Sequence, residues 1–297
     1  MYDQQSLLEV PNYEDSLIFY KVMNYPIPKN PEYFLFEKKL DNILPSVIWD
    51  LSSFSWHKPN PFMHEYISHI NKFWRLYRSM PFIKSIYLCN SISFNALKED
   101  SDIDLFIVTK KNALRRARFF SVLFFLVLWL KRSLKKKTKK FCLSFYITEE
   151  AENMYNITLP KTDIYFSYWL AHLIPLYMEQ NNNIYQANKR LISLLPNFPL
   201  EHSIHIGSRL FEGKTKAKNI FEYCFGSIWG RLLEKVIKLI WLPIVLYKTK
   251  KHQEDWWGII ISDKILKFHA DIRKKVRLNY TLRKKGIHKT LYGIRDS

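Results

Sequence analysis

Residues 89–111 read CNSISFNALKEDSDIDLFIVTKK, and the fold turns on how the aspartates near the middle are taken. Asp102 and Asp104 stand two apart and lead straight into Leu105-Phe106-Ile107-Val108. A short apolar run of this kind, bounded by polar residues, predicts a strand over 102–108. Successive strand side chains point to opposite faces, so Asp102 and Asp104 share one face while Ile103 and Leu105 share the other. Two adjacent carboxylates repel unless something positive lies between them, and Mg²⁺ is a common answer. The alternative for any isolated D-x-D is a pair of solvated acids at a strand edge or turn, so the surroundings have to decide.

Working outward, Ile83-Lys-Ser-Ile-Tyr-Leu-Cys89 predicts a strand ending at Asn90-Ser91, and 94–99 has room for one helical turn. Residues 112–130 read as a long helix, and Lys131–Lys140, with seven Lys and Arg in ten residues, as an exposed loop for which polyanion contact is the weaker reading. Phe141–Ile147 predicts a third strand, aromatic and β-branched, with Cys142, Ser144 and Tyr146 on one face. Before this block, His64–Ser79 carries a helical stripe, as do the segments around Ser16–Met23 and Tyr33–Leu44, separated by Pro26, Pro28 and Pro31. After it, Thr162 or Asp163 is a helix cap, Pro175 bends or ends that helix, and 179–195 and 217–238 continue the helical pattern.

The fold class read from this pattern is α+β. A helical or winged-helix-like segment (1–78) precedes a small mixed sheet (79–160), and a helical region (161–297) follows.

Composition narrows the function. Lys and Arg outnumber Asp and Glu 46 to 27, a net charge of +19 that favours polyanionic partners such as nucleic acid, triphosphates or acidic lipid. With only 7 glycines and no G-x-G-x-x-G or Walker A run, glycine-loop nucleotide binding is excluded. Cys89, Cys142 and Cys224 form neither a disulfide framework nor a zinc pattern, so a reducing, cytoplasmic setting is expected. The opening MYDQQSLLEVPNYED does not read as a signal peptide. Two apolar runs, 119–130 and 236–247, are shorter than the roughly 20 residues a membrane span needs, and both are expected to be core helices, with a membrane-surface role for their basic flanks as the lesser alternative.

Strand, Ser-bearing turn and D-h-D strand together resemble the nucleotidyltransferase domain of the DNA polymerase β superfamily. Cys89-Asn90-Ser91 stands at its hydrophobic-Gly-Ser element, and Asp102-Ile103-Asp104-Leu105 at its acidic element, with Ile92–Ser101 between them. Asn24-Tyr-Pro-Ile, Phe141-Cys-Leu-Ser-Phe, Asp163-Ile-Tyr, Leu173-Ile-Pro-Leu-Tyr and the Lys251-His-Gln segment look like landmarks of a bacterial branch of these proteins. The resemblance implies that Asp102 and Asp104 hold Mg²⁺ or Mn²⁺ and that Asn90 and Ser91 contact an NTP. An acceptor hydroxyl then attacks the α-phosphorus and pyrophosphate leaves. The acceptor is unidentified: a small molecule, a protein or RNA.

Two departures stand out. Asn90 replaces the usual glycine, and 141–147 contains no acid where relatives place a third carboxylate, so Glu149, Glu150 and Glu152 are the nearest candidates. A catalytically degenerate nucleotide-binding or scaffold protein is therefore the second expectation, and a basic adaptor for nucleic acid or an anionic membrane surface the third. His172, inside an apolar helix, reads as a core residue. His202, His205 and Trp256-Trp257 have no partners in sequence that define a site.

Overall fold

The three strands form within a residue of where the alternation puts them: β1 Ile83–Cys89, β2 Ile103–Thr109 and β3 Phe141–Thr148. The computed structural model describes residues 19, 22–23, 60–132, 138–159, 163–179, 184–195, 210–251, 259–268 and 273–284. The proline turn at 26–31, the Tyr33–Leu44 helix, most of the 1–78 segment, His202, His205 and Trp256-Trp257 lie outside these residues.

The sheet is larger than the small core expected. Four further strands, all from beyond residue 160, join it: β4 Ile174–Met178, β5 Phe211–Glu212, β6 Ile260–Ile261 and β7 Ile265–Lys267. The order is β5-β4-β1-β2-β3-β7-β6, so the acidic strand β2 is central. β2 runs antiparallel to β1 and parallel to β3, and the helix Leu114–Val127 makes the crossover that a parallel pair requires.

Pro175 corrects the sequence reading. Its helix, Ile164–Ala171, has already ended, and Pro175 lies inside β4, opposite Tyr87, where the ladder slips register. Proline has no N–H to donate, and among the described residues β5 pairs with Tyr177 and Met178 and not with Pro175.

Helices cover both faces of the sheet. Ile86, Leu88, Ile103, Leu105, Ile107 and Tyr146 face the helices Met63–Asn71, Trp74–Ser79 and Leu114–Val127. Tyr87, Cys89, Phe106, Val108, Phe145 and Ile147 face Ile164–Ala171, with Phe19, Val22 and Met23 completing that core. Asp163 caps Ile164–Ala171 as expected, accepting from Phe166 N at 3.1 Å, and also pairs with buried Arg273 at 2.8 Å.

β3 departs from strict alternation. The β2–β3 register steps from Asp104↔Cys142 to Phe106↔Phe145, an extra residue on β3 that marks a bulge. Cys142 and Ser144 keep one face, with Sγ and Oγ 3.2 Å apart, but Tyr146 is turned to the other, where its hydroxyl bonds Ser121 at 2.8 Å. The expectation that Tyr146 shares the face of Cys142 is thus overturned by one inserted residue.

Both 12-residue apolar runs are helical, yet neither is a core helix. In Leu114–Val127 the buried side holds Leu114, Ala117, Phe120, Ser121 and Phe125, while Phe119, Leu123, Leu126 and Val127 are exposed. The second run belongs to Ile228–Lys251, which exposes Leu232, Val236, Leu239, Ile240 and Tyr247 and carries Pro243 within it. Each helix buries only the stripe that its neighbours cover, however apolar the remainder is.

Lys216–Gly226 is capped by Thr215, whose hydroxyl accepts from Lys218 N at 3.2 Å and meets Ser79 Oγ at 3.0 Å. Thr215→Ala is expected to lower stability by about 1 kcal/mol in a urea titration. An unchanged midpoint would mean that the cap contributes nothing there.

Candidate functional site

β1 ends where β2 begins, because Cys89 pairs with Asp104 across the antiparallel ladder. The bend Asn90–Ala96 therefore leaves β1 at the end of the sheet where the acidic strand β2 starts. Asn90 is in the left-handed region at φ +59°, a conformation that Asn tolerates better than most residues in the glycine's place. Its carbonyl accepts from Phe94 N and Ser93 Oγ, both at 3.0 Å, and Ser91 O accepts from Ala96 N at 2.8 Å, so the bend is tied down by its own backbone. The Asn90 side chain is already engaged: Oδ1 accepts from Trp169 Nε1 at 3.0 Å. Asn90 thereby shapes the bend and docks the Ile164–Ala171 helix through Oδ1. Ser91, half-buried, follows it in the same bend.

Asp102 and Asp104 converge as the alternation predicts, and a third group joins them. One ligand atom each from Asp102, Asp104 and Cys142 lies within 4.8 Å of the others. Cys142 arrives because β3 runs parallel to β2 and puts it beside Asp104. A fourth residue completes the pocket: Arg132 Nη1 donates to Asp102 Oδ2 at 2.6 Å and to Cys142 Sγ at 3.6 Å. The backbone holds it there, because Phe141 N bonds Leu130 O at 2.8 Å and Arg132 N bonds Phe141 O at 2.9 Å, extending the ladder past the start of β3. Arg132 had been grouped with the solvated basic loop. It is the counterion of the pocket.

The electrostatics follow from burial. Desolvation, then the charge of Asp104, hold the Asp102 carboxyl above its ordinary range, against the opposing pull of Arg132. Burial lowers the Arg132 guanidinium, but Asp102 and Cys142 more than offset that. Burial, with Asp104 next, pushes the Cys142 thiol far up, so it stands as S–H at neutral pH.

The glutamates considered as a third acid are elsewhere. Thr148 pairs with Thr109 at the far end of the same strands. The six residues from Cys142 to Thr148, at about 3.3 Å each, separate the two ends by roughly 20 Å. There Glu149 pairs with Lys84 at 2.7 Å and accepts from Lys111 N at 2.8 Å, and Glu150 pairs with Lys111 at 2.9 Å. Glu152 lies further along, its carbonyl accepting from Asn188 Nδ2 at 2.7 Å. None of the three stands with the aspartates. His172, expected inside a helix as a core residue, instead caps the end of Ile164–Ala171 half-buried, with Nδ1 2.8 Å from Tyr168 O.

The donor set can be tested against Mg²⁺. That ion takes oxygen ligands in near-octahedral geometry, commonly one or two carboxylates with phosphates and water. Asp102 and Asp104 fit this requirement. A sulfur donor suits softer metals than Mg²⁺, and Cys142 lines the pocket beside the two carboxylates.

No protein-family model, curated protein or solved structure matches this chain.

Sequence reasoning missed Arg132 and the approach of Cys142. One clue was present: Arg132 is the single arginine among the seven basic residues of 131–140, and arginine is the cation suited to a fixed carboxylate partner.

Proposed function

We propose that the Asn90–Ala96 bend and the Asp102–Asp104 pair receive the polyphosphate of a nucleoside triphosphate together with Mg²⁺ or Mn²⁺, in the manner of the polymerase β-like proteins that the sequence resembles. What carries the reading is the convergence of both carboxylates at the end of β2 that adjoins the start of the serine-bearing bend. The two aspartates would hold the ion, and the chemistry it supplies is neutralisation of charge on the phosphate oxygens.

The chain's own groups do the rest. Ser91 would contact a phosphate from the bend, and Trp169 holds that bend through Asn90 Oδ1. Arg132 stands ready as a second positive group at the phosphates once Asp102 is otherwise occupied.

Among the described residues no third carboxylate joins the pair, and the position beside Asp104 is taken by a thiol. No further carboxylate among the described residues stands there to act as base for the acceptor hydroxyl, which favours nucleotide binding over fast turnover. Transfer of a nucleoside monophosphate to an unidentified acceptor is the second reading, resting on the retained carboxylate pair.

Calorimetry with ATP, GTP, CTP and UTP, each with Mg²⁺ or Mn²⁺, tests both. Wild type is expected to bind at least one NTP, and an Asp102→Asn, Asp104→Asn double variant to bind it at least about tenfold more weakly, the effect of losing the metal's carboxylates. Equal binding by the variant, or no binding by wild type, sinks the proposal. Label transfer from NTP into a cell extract above the double variant's background would put transfer first.

A further inference from the structure

The Leu114–Val127 helix ends in an unusual way. Leu130 N bonds Phe125 O at 2.8 Å and Leu128 N bonds Phe124 O at 3.1 Å, a termination that places the residue between, Trp129, in the left-handed region at φ +55°. Glycine normally fills that position because a side chain there is strained. Here the side chain is the largest available, and it is 82% exposed.

The helix-ending hydrogen bonds account for the backbone of Trp129, but no described residue covers its indole. Nor is Trp129 alone. Phe119, Leu123, Leu126 and Val127, at helical spacing, form an exposed apolar stripe leading to it, and Val127 is 67% exposed. The neighbouring Ile228–Lys251 helix, packed along the first, carries a second outward stripe through Leu232, Val236, Leu239 and Ile240. Exposed apolar surface repeated at this spacing on two adjacent helices marks an interaction face.

Charge says what the face meets. The sequence leaving Trp129 is Leu-Lys-Arg-Ser-Leu-Lys-Lys-Lys-Thr-Lys-Lys, and Lys140 Nζ reaches back to the Trp129 carbonyl. Exposed Arg231 and Lys235 flank the second stripe. Apolar and aromatic side chains bordered by lysines are the composition of an interfacial anchor, whose ring and aliphatic groups sit at the headgroup boundary while the cations meet anionic lipid. A second copy of the chain is a poor occupant, because it brings the same net charge of +19. No described helix is long and apolar enough to cross a membrane, so contact is from one side.

We propose that the Phe119–Trp129 face, with Lys131, Lys140, Arg231 and Lys235 around it, docks the protein on an anionic membrane surface.

Vesicle co-sedimentation of the full chain tests this with phosphatidylcholine alone and with roughly a third phosphatidylglycerol added. Binding is expected with the anionic vesicles only, weakening steeply as salt rises and the lysine contacts are screened. Trp129→Gly relieves the positive φ, so its melting temperature is expected to equal or exceed that of wild type. Its vesicle binding is expected to fall at least about tenfold through loss of the indole from the interface. Val127→Ser, Leu126→Ser is a second variant for the same loss. Absence of binding to anionic vesicles overturns the proposal, as does equal binding to neutral ones or undiminished binding by the folded variants. Concentration-dependent dimerisation abolished by the same substitutions would assign the face to a second copy instead. Tight RNA binding that needs the lysines but not Trp129, without vesicle binding, would likewise overturn it.

Discussion

Glu179→Ala is expected to lower the unfolding free energy by about 3–5 kcal/mol, the range for removing one partner of a buried ion pair. Lys218, from the Lys216–Gly226 helix, is fully buried, and its ammonium lies 2.9 Å from Glu179 Oε2 and 2.9 Å from the Tyr177 hydroxyl, with the Ile83 carbonyl as a further partner. Glu179 also receives Lys214 at 2.7 Å and Lys110 at 3.3 Å. Once Glu179 is removed, the remaining described acid near Lys218 is Glu222, at 3.9 Å. An ammonium without adequate compensation in an interior position either loses its proton or drags water inward, and both loosen the helix from the sheet.

The pH dependence fixes the sign. Burial raises the Glu179 carboxyl, but Lys218 and Lys214 outweigh that and hold it below its ordinary value of 4.5. A depressed folded pKa contributes stability that is present above the unfolded value and is lost as pH falls through the folded one. Glu179→Gln should therefore differ from wild type most at neutral pH, with the gap closing as pH falls below the ordinary value of 4.5 and through the lower folded one. Urea titrations at pH 7 and in mild acid would show this. A gap that stays the same at both would mean that packing, not charge, makes the contribution.

Arg132→Ala carries the second large effect, and it acts in two directions. Without the guanidinium, Asp102 and Asp104 are left facing each other in a pocket where Asp104 is buried. Stability is expected to fall by about 2–3 kcal/mol, less than for a fully buried pair because Asp102 is partly exposed. The same change vacates Asp102 Oδ2 for a divalent cation. A ligand that binds only the folded state at a hundred times its Kd adds about 2.7 kcal/mol, enough to restore the loss. Thermal melts of the variant should thus rise with added Mg²⁺ or Mn²⁺ far more than those of wild type. A cation-independent melting temperature in Arg132→Ala would mean that the two aspartates hold no metal, and the nucleotide reading would fall with it.

The candidate site was partly legible because some of its geometry is local. Two aspartates one residue apart on a strand share a face by the pleat alone, and Asn90 tolerates the positive φ demanded at the end of β1. The rest depends on who lies alongside. Cys142 reaches Asp104 only because β3 is parallel to β2, and Tyr146 leaves that face only because a bulge intervenes. Arg132 is five residues past the end of a helix, a place where a lysine-rich stretch reads as solvated until its backbone is seen pairing with Phe141.

The amino-acid sequence by itself determined the order and limits of β1, β2 and β3, the crossover helix, the Asp163 cap and the shared face of Asp102 and Asp104. Each follows from periodicity or a contact within a few residues. Tertiary structure alone decided that segments as distant as 174–178 and 265–267 enter the same sheet, that Pro175 sits in a strand, and that both apolar runs are half-uncovered. Periodicity can show that a face is apolar. What covers that face is set by the packing of remote elements, whose pairing no local pattern encodes.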